Sequence, residues 1–315
     1  MTRIAPRALR GTVAAVAATV SVVLALTACS SSGGSSSSSS TSASAASSSA
    51  LHDLLPSGVK SSGVVHLATD AEYPPCESTD NSKNMVGYEP DLWNAMAAKL
   101  GVKIDATSIT FDSLIPGVQS GRYDMAMECI SDNTDREKQV TFVDNAYATG
   151  AVYMLASNTS ITTDPLTLCG LKTATQVGLD LAQQITSTID PHCTNAGKKP
   201  VQVSQFPTAN AALLALYSGR VDFVLNDYAA AKALQAAAPK PLRYVTDPLL
   251  QKYYNGMVFN TGDTGLQKAF LAALKAIVAD GTYASIMKKW DLPALELNDP
   301  GINLSASAPI ATPKP

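Results

Sequence analysis

The chain has 315 residues, 46% apolar and 16% charged, which is enough for two ordinary domains and too apolar for wholesale disorder. Its formal net charge is −3, from 23 basic and 26 acidic residues. No basic excess exists to neutralise phosphates, which argues against a nucleic-acid partner.

Arg3, Arg7 and Arg10 precede an apolar run from Gly11 to Leu26 that is short for a bilayer span. The run ends in Leu26-Thr27-Ala28-Cys29. Small residues before a Cys at such a point resemble a bacterial lipoprotein signal. Residues 1–28 are therefore expected to be cleaved and Cys29 to carry a lipid, which holds the protein on the outer face of the cell membrane. An uncleaved anchor or an ordinary signal peptide is the alternative. Residues 30–50 hold 14 Ser in 21 positions, a composition with nothing to bury. Residues 29–59 are expected to be the lipidated Cys and a flexible tether.

The body alternates strands and helices. Val64 to Ala68 reads as a strand. Glu89 to Leu100 reads as a helix, with Pro90 in its first turn, Leu92, Ala95, Met96 and Leu100 on one face, and Gly101 as its stop. Lys103 to Ile109 alternates like a strand. Asp112 is expected to cap a helix over Leu114 to Ser120, and Tyr123 to Cys129 reads as a strand again. This is a βαβ pattern and argues for an α/β fold. Further on, Thr208 caps a helix through Tyr217, Gly219 ends it, and Val221 to Leu225 follows as a strand. Ser120-Gly121-Arg122-Tyr123-Asp124 and Ser218-Gly219-Arg220-Val221-Asp222 are the same joint, met twice. The repeat suggests two lobes of like topology; two unrelated helix ends are the alternative. Leu266, Phe270, Leu274, Ile277 and Val278 mark an amphipathic helix, and a shorter one runs to Trp290. Both need a surface to cover, most simply the first lobe. Residues 305–315 are of low complexity and are expected to be disordered.

Without Cys29, four cysteines are left: Cys76, Cys129, Cys169 and Cys193. An even number in an exported chain points to disulfides. No Cys or His spacing suits zinc, so neither a metal nor a cofactor is expected.

Six segments, in order, resemble the extracellular solute-binding proteins of ABC importers, specifically the polar amino-acid-binding family. They are Thr69 to Pro75 (TDAEYPP), Val86 to Leu92 (VGYEPDL), Phe111 to Asp124 (FDSLIPGVQSGRYD), Arg136 to Val140 with Phe142, Ala209 to Asp227, and Ala279 to Thr282 with Lys289-Trp290. The resemblance covers roughly Val64 to Leu292. It implies a periplasmic-binding-protein fold of type II, with two α/β lobes, two hinge strands and a ligand cleft between them. Residues 60–153 plus 256–292 would form lobe 1 and residues 157–252 lobe 2. The hinges would be Gly150 to Ala156 and Tyr254 to Thr261, and residues 293–315 a partly disordered extension. The implied function is capture of a small polar solute, an amino acid or a related cationic amine, by a monomer that closes on it and serves ABC importer permease subunits. Two alternatives stay open: a dehydratase-like enzyme of this fold, and a surface sensor without an importer.

The resemblance also implies a site. Arg136 matches the residue that forks a ligand carboxylate; a surface pair with Asp132 or Glu137 is the alternative. Asp227 matches the ammonium-binding Asp, or else is a turn residue. Tyr73 and Phe111 stand where aromatic walls are expected, although Phe111 could simply be core. Three departures stand out. Gly178-Leu179-Asp180 replaces the usual Gly-Thr-Thr and sets an acid near the carboxylate site. Cys76 replaces a Phe, and Glu128-Cys129 replaces a small neutral pair. Asp70, Glu72, Glu128, Asp132 and Asp227 would then gather at the cleft and favour a ligand with extra positive charge or several polar donors; the alternative is that several of them point to solvent. The resemblance further implies a Cys76–Cys129 bond at the cleft floor and a Cys169–Cys193 bond within the second lobe.

Overall fold

The computed structural model describes residues 49–311. The signal segment, the expected lipid site at Cys29 and most of the Ser-rich tether lie outside the described residues, as do residues 312–315.

Along the chain the strands are β1 (Val64–Thr69), β2 (Glu72–Tyr73), β3 (Glu77–Thr79), β4 (Met85–Val86), β5 (Lys103–Ser108), β6 (Met125–Ala126), β7 (Ser131–Asp132), β8 (Thr141–Leu155), β9 (Lys172–Gln176), β10 (Gln202–Phe206), β11 (Phe223–Asp227), β12 (Leu242–Val245) and β13 (Lys252–Phe259). In the first lobe β5, β1 and β6 run parallel, and β13 lies antiparallel beside β6. In the second, β10, β9 and β11 run parallel, and β8 lies antiparallel beside β11. The two rows share one pattern.

The repeated joint explains why. The carboxylate of Asp124 accepts from the His66 N–H of β1 at 2.7 Å, and that of Asp222 accepts from the Lys172 N–H of β9 at 2.8 Å. Each Asp thus fastens an incoming strand to the first strand of its own lobe. Gly121 and Gly219 precede them with φ of 71° and 73°, a left-handed turn that glycine enters without steric cost.

β8 is 15 residues long and serves both lobes. Thr141 to Thr149 pair with β13, and Gly150 to Tyr153 pair with β11. The chain therefore crosses at Thr149–Gly150 and returns at Lys252. Both crossings fall a few residues before the expected hinges. Gly150 to Tyr153 belong to the second sheet, and Lys252 to Asn255 to the first.

Both faces of each sheet are covered, as parallel strands require. Leu92, Met96 and Leu100 of the helix Tyr88–Leu100 share a first-lobe core with Leu266, Phe270, Leu274 and Ile277 of the helix Thr264–Ala279 and with Met287 of Thr282–Lys289. The two late helices thus cover the first lobe, as their apolar faces require. Along β8 the side chains alternate: Ala151 and Tyr153 enter one second-lobe core, Val152 and Met154 the other. Among the described residues no single helix is long and apolar enough to cross a membrane.

Several local expectations need correction. The strand expected over Tyr123 to Cys129 stops at Ala126. Cys129 has φ 42°, and its N–H is taken by the buried Glu89 carboxylate at 2.9 Å, so the chain leaves the sheet there. Asp112 does not cap the helix Leu114–Gln119; it lies in a preceding 3-10 turn and accepts from Thr110 Oγ1 at 2.6 Å. The tether is shorter than expected, because Leu51, Leu55 and Val59 already pack on the first-lobe core. The C-terminal extension is ordered as far as it is described. Leu295 and Leu297 are buried, and Ile302 bridges Val143. The N–H groups of Leu304, Ser305 and Ala306 donate to Asp144, Asp132 and Glu137 at 2.9, 3.0 and 3.1 Å. A Ser- and Ala-rich segment carries no apolar pattern, yet consecutive backbone donors can order it on carboxylates.

Two disulfides are present. Cys76 is joined to Cys129 with Cα atoms 6.0 Å apart, and Cys169 to Cys193 with Cα atoms 5.6 Å apart, both ordinary separations for a bond. The first ties the loop after β2 to the end of the segment after β6.

Candidate functional site

The carboxyl ends of the parallel strands point at the gap between the lobes, where open α/β sheets bind ligands. Asp70 follows β1, Phe111 follows β5, Glu128 follows β6, Gly178 follows β9, and Asp227 ends β11.

Side-chain contacts carry these residues across the gap. The Tyr73 hydroxyl donates to Asp227 Oδ2 at 3.2 Å. Gln176 Nε2 donates to Asp70 Oδ2 at 3.0 Å. The edge of the Phe111 ring meets Gly178, whose φ is +91° and where an added Cβ would lie 3.0 Å from that ring. Phe111 is also buried among Ala68, Leu114 and Phe142, so it is core and wall at once. The Tyr253 hydroxyl donates to the other Asp227 oxygen, and Tyr153 donates to the Asp227 carbonyl at 2.6 Å.

Arg136 lies beside this group. Its Nη1 donates to the hydroxyl and the carbonyl of Ser131, both at 2.7 Å, and its Nη2 donates to the Gly178 carbonyl. Its ion-pair partner is Asp180, at 3.2 Å, and not Asp132 or Glu137. Asp180 also accepts from Ser131 Oγ at 2.8 Å and Asn133 Nδ2 at 2.7 Å.

Glu128 is 0% exposed, and among the described residues neither of its carboxylate oxygens has a hydrogen-bond partner. Burial pushes its carboxyl well up, and the negative Asp70, Glu89 and Asp227 add to this against the positive Arg136. Burial raises Asp227 to about 6, against the hydrogen bonds from Tyr253 and Tyr73. Asp70 is also raised, chiefly by burial, while Gln176 pulls it down.

The structure therefore brings together Asp70, Tyr73, Phe111, Glu128, Arg136, Gly178, Asp180 and Asp227. One expected residue stands apart. Glu72 is exposed and lines a groove with Ala209, Leu213 and Tyr217. It neighbours Tyr73 on a strand, so when Tyr73 points in, Glu72 points out. Asp132 is buried and lines a cavity with Asn133, Asp180 and Tyr253, and one of its carboxylate oxygens, Oδ2, accepts from the Ser305 N–H of the C-terminal segment. The sequence reading missed Gln176 and Tyr253. Gln176 ends the strand just before Gly178, which was a usable signal. Tyr253 comes from the return crossing, whose position was misjudged. Among the described residues no group of three His, Cys, Asp or Glu is placed to hold a metal ion.

Residues 65–293 match the bacterial extracellular solute-binding proteins, family 3. The chain belongs to this family. This solute-binding protein is 30% identical over 230 residues to the putative ABC transporter arginine-binding protein 2 of Escherichia coli K12, a match covering 72% of this chain and 90% of that protein. It is 26% identical over 250 residues to the arginine-binding protein ArgT of Corynebacterium glutamicum, covering 79% of this chain and 81% of that one. The solved structure of an ancestral arginine-binding protein bound to arginine superposes with a TM-score of 0.65 at 31% identity, covering 72% of this chain and 98% of that one.

Raised carboxyls give the solute-binding protein a testable pH dependence. Burial pushes Glu89 to about 7, Asp132 to about 7 and Asp144 to about 8. The folded chain keeps these protons where an unfolded chain, with carboxyls near about 4, has lost them. Stability is therefore expected to fall as the pH rises from about 5 to about 8. Urea unfolding across that range reads it, and a midpoint that holds level or climbs with pH refutes it.

Proposed function

We propose that this protein captures a small organic cation, an amino acid or related amine bearing amino or guanidino groups, by closing its two lobes around it, and delivers it to an ABC importer. The observation that carries this is Glu128: a fully buried carboxyl with no partner, beside Asp70 and Asp227. Such a group is costly unless a donor or a positive charge reaches it. A ligand cation supplies both. The names of the arginine-binding relatives support the same class. In this reading Asp227 and Asp70 hold positive groups of the ligand, Tyr73 and Phe111 wall it, and Arg136 with Gly178 and Asp180 fixes one lobe against the other. The ligand stabilises the closed state because it touches both lobes. Cys29 would anchor the mature protein by its lipid, the Ser-rich stretch would let the monomeric body turn, and permease subunits would receive the ligand. Nothing in this scheme requires catalysis.

A thermal-shift panel of arginine, lysine, their decarboxylated amines, glutamine and glutamate tests the class. A cation at one hundred times its Kd should add about 2.7 kcal/mol of stability. Stabilisation by glutamate and not by any cation would reverse the reading. Within it, Asp227→Asn keeps the shape and loses the charge. Cation affinity is expected to drop by about tenfold or more, equal to about 1.4 kcal/mol, in a variant that still folds. Unchanged affinity by calorimetry would remove Asp227 from the ligand.

A further inference from the structure

The balance of donors and acceptors between the lobes is one-sided. Ser131 Oγ, Asn133 Nδ2 and Arg136 Nη2 converge as a carboxylate would want them, and a carboxylate is already there, that of Asp180. The other donors are engaged too: the Tyr73 and Tyr253 hydroxyls on Asp227, and Gln176 Nε2 on Asp70. Among the described residues, the buried side-chain atoms there that lack a partner include the acceptors Glu128 Oε1 and Oε2, Gln176 Oε1 and Asp132 Oδ1. Asp180 also offsets the charge of Arg136, leaving Asp70, Glu128 and Asp227 without a cation of their own.

We infer that Asp180 is a built-in carboxylate that fills the Ser131–Asn133–Arg136 cradle, so that the preferred ligand is an amine or guanidino-amine without a free carboxylate. This deepens the cation reading and rests on it. A ligand carboxylate would bring up to four acceptor sites to a gap whose side-chain donors on Ser131, Asn133, Tyr73, Tyr253 and Gln176 already have partners. It would also set a further negative charge among buried carboxyls, where repulsion is poorly screened. A ligand with donors only meets the unpartnered acceptors directly. Asp180 cannot readily withdraw, because removing it strands the Arg136 charge, which is largely buried with a side-chain exposure of 13%. Asp180 is thus the residue that discriminates between an amino acid and its decarboxylated counterpart.

Calorimetry on the full mature chain tests this with two matched pairs, arginine against agmatine and lysine against cadaverine. The native chain is expected to bind one amine at least about tenfold more tightly than its amino acid. Asp180→Thr vacates the cradle while keeping a hydroxyl, and should narrow or reverse that ratio by about tenfold. Asp180→Asn, which keeps the shape, reads the same ratio should the Thr variant fail to fold. An amino acid that binds the native chain as tightly as its amine overturns the inference and leaves the cation reading standing. So does a ratio untouched by either variant. If no member of either pair binds the native chain, the cation reading falls, and this inference with it.

Discussion

Replacing Cys76 and Cys129 together by Ala is expected to lower the unfolding free energy by about 4 kcal/mol. The bond closes a loop with a sequence separation of 53, against 24 for Cys169–Cys193. In the chain-entropy account, the larger loop removes more freedom from the unfolded chain, and the second bond is worth about 3 kcal/mol by the same reckoning. Native contacts add to the first. Cys76 is fully buried, and the Tyr88 hydroxyl lies 3.0 Å from Cys129 Sγ. The backbone of Cys76 also passes so close to Gly87 that any side chain there would overlap its carbonyl. The double variant leaves the loop carrying Tyr73 untied from the segment carrying Glu128. Urea unfolding of the oxidised proteins should show a lower midpoint, with a slope that rises if it changes, because the untied unfolded chain exposes more surface. A variant as stable as the native chain would mean that the bond constrains nothing the fold has not already fixed.

The folding frame was legible in the sequence because its signals are local. The joint around Gly121 and Asp124 and its copy around Gly219 and Asp222 each span five residues and do the same work. The helices at Tyr88–Leu100 and Thr264–Ala279 announced themselves by apolar spacing, since each lies on one surface. The residue types of the site were legible too, since Asp70, Tyr73, Glu128 and Asp227 end or follow strands and Arg136 lies in the turn between β7 and β8. Their pairing was not. Whether Arg136 meets Asp132, Glu137 or Asp180 depends on how two lobes close, and no spacing along the chain encodes that. The hold of Ser305 on Asp132 Oδ2 was not legible either, because Ser305 lies far along the sequence and binds through a backbone N–H that any residue type would supply. Glu72 and Tyr73 show the finest grain of the problem. They are adjacent, and only the setting of a two-residue strand decides which of them faces inward.

Glu128→Gln is expected to weaken cation binding by about one hundredfold, equal to about 2.7 kcal/mol, while leaving the unliganded protein at least as stable as before. The two halves of this expectation have one cause. Glu128 is buried without a partner, so its ionised form is strongly disfavoured in the unliganded cleft, and its carboxyl is held well above the usual range. A neutral glutamine of the same shape removes that burden. A bound cation reverses the situation: it favours the carboxylate, and Glu128 must give up its proton as the ligand arrives. Binding should therefore release protons and tighten as the pH rises, opposite in sign to the stability of the unliganded protein. In the glutamine variant the part of the proton release owed to this position should vanish. Calorimetry in two buffers of different ionisation enthalpy measures that release directly, and urea unfolding measures the stability. Full affinity in a folded Glu128→Gln variant would place the ligand's charge elsewhere. Loss of stability would show that the buried carboxyl already has a partner in the native fold.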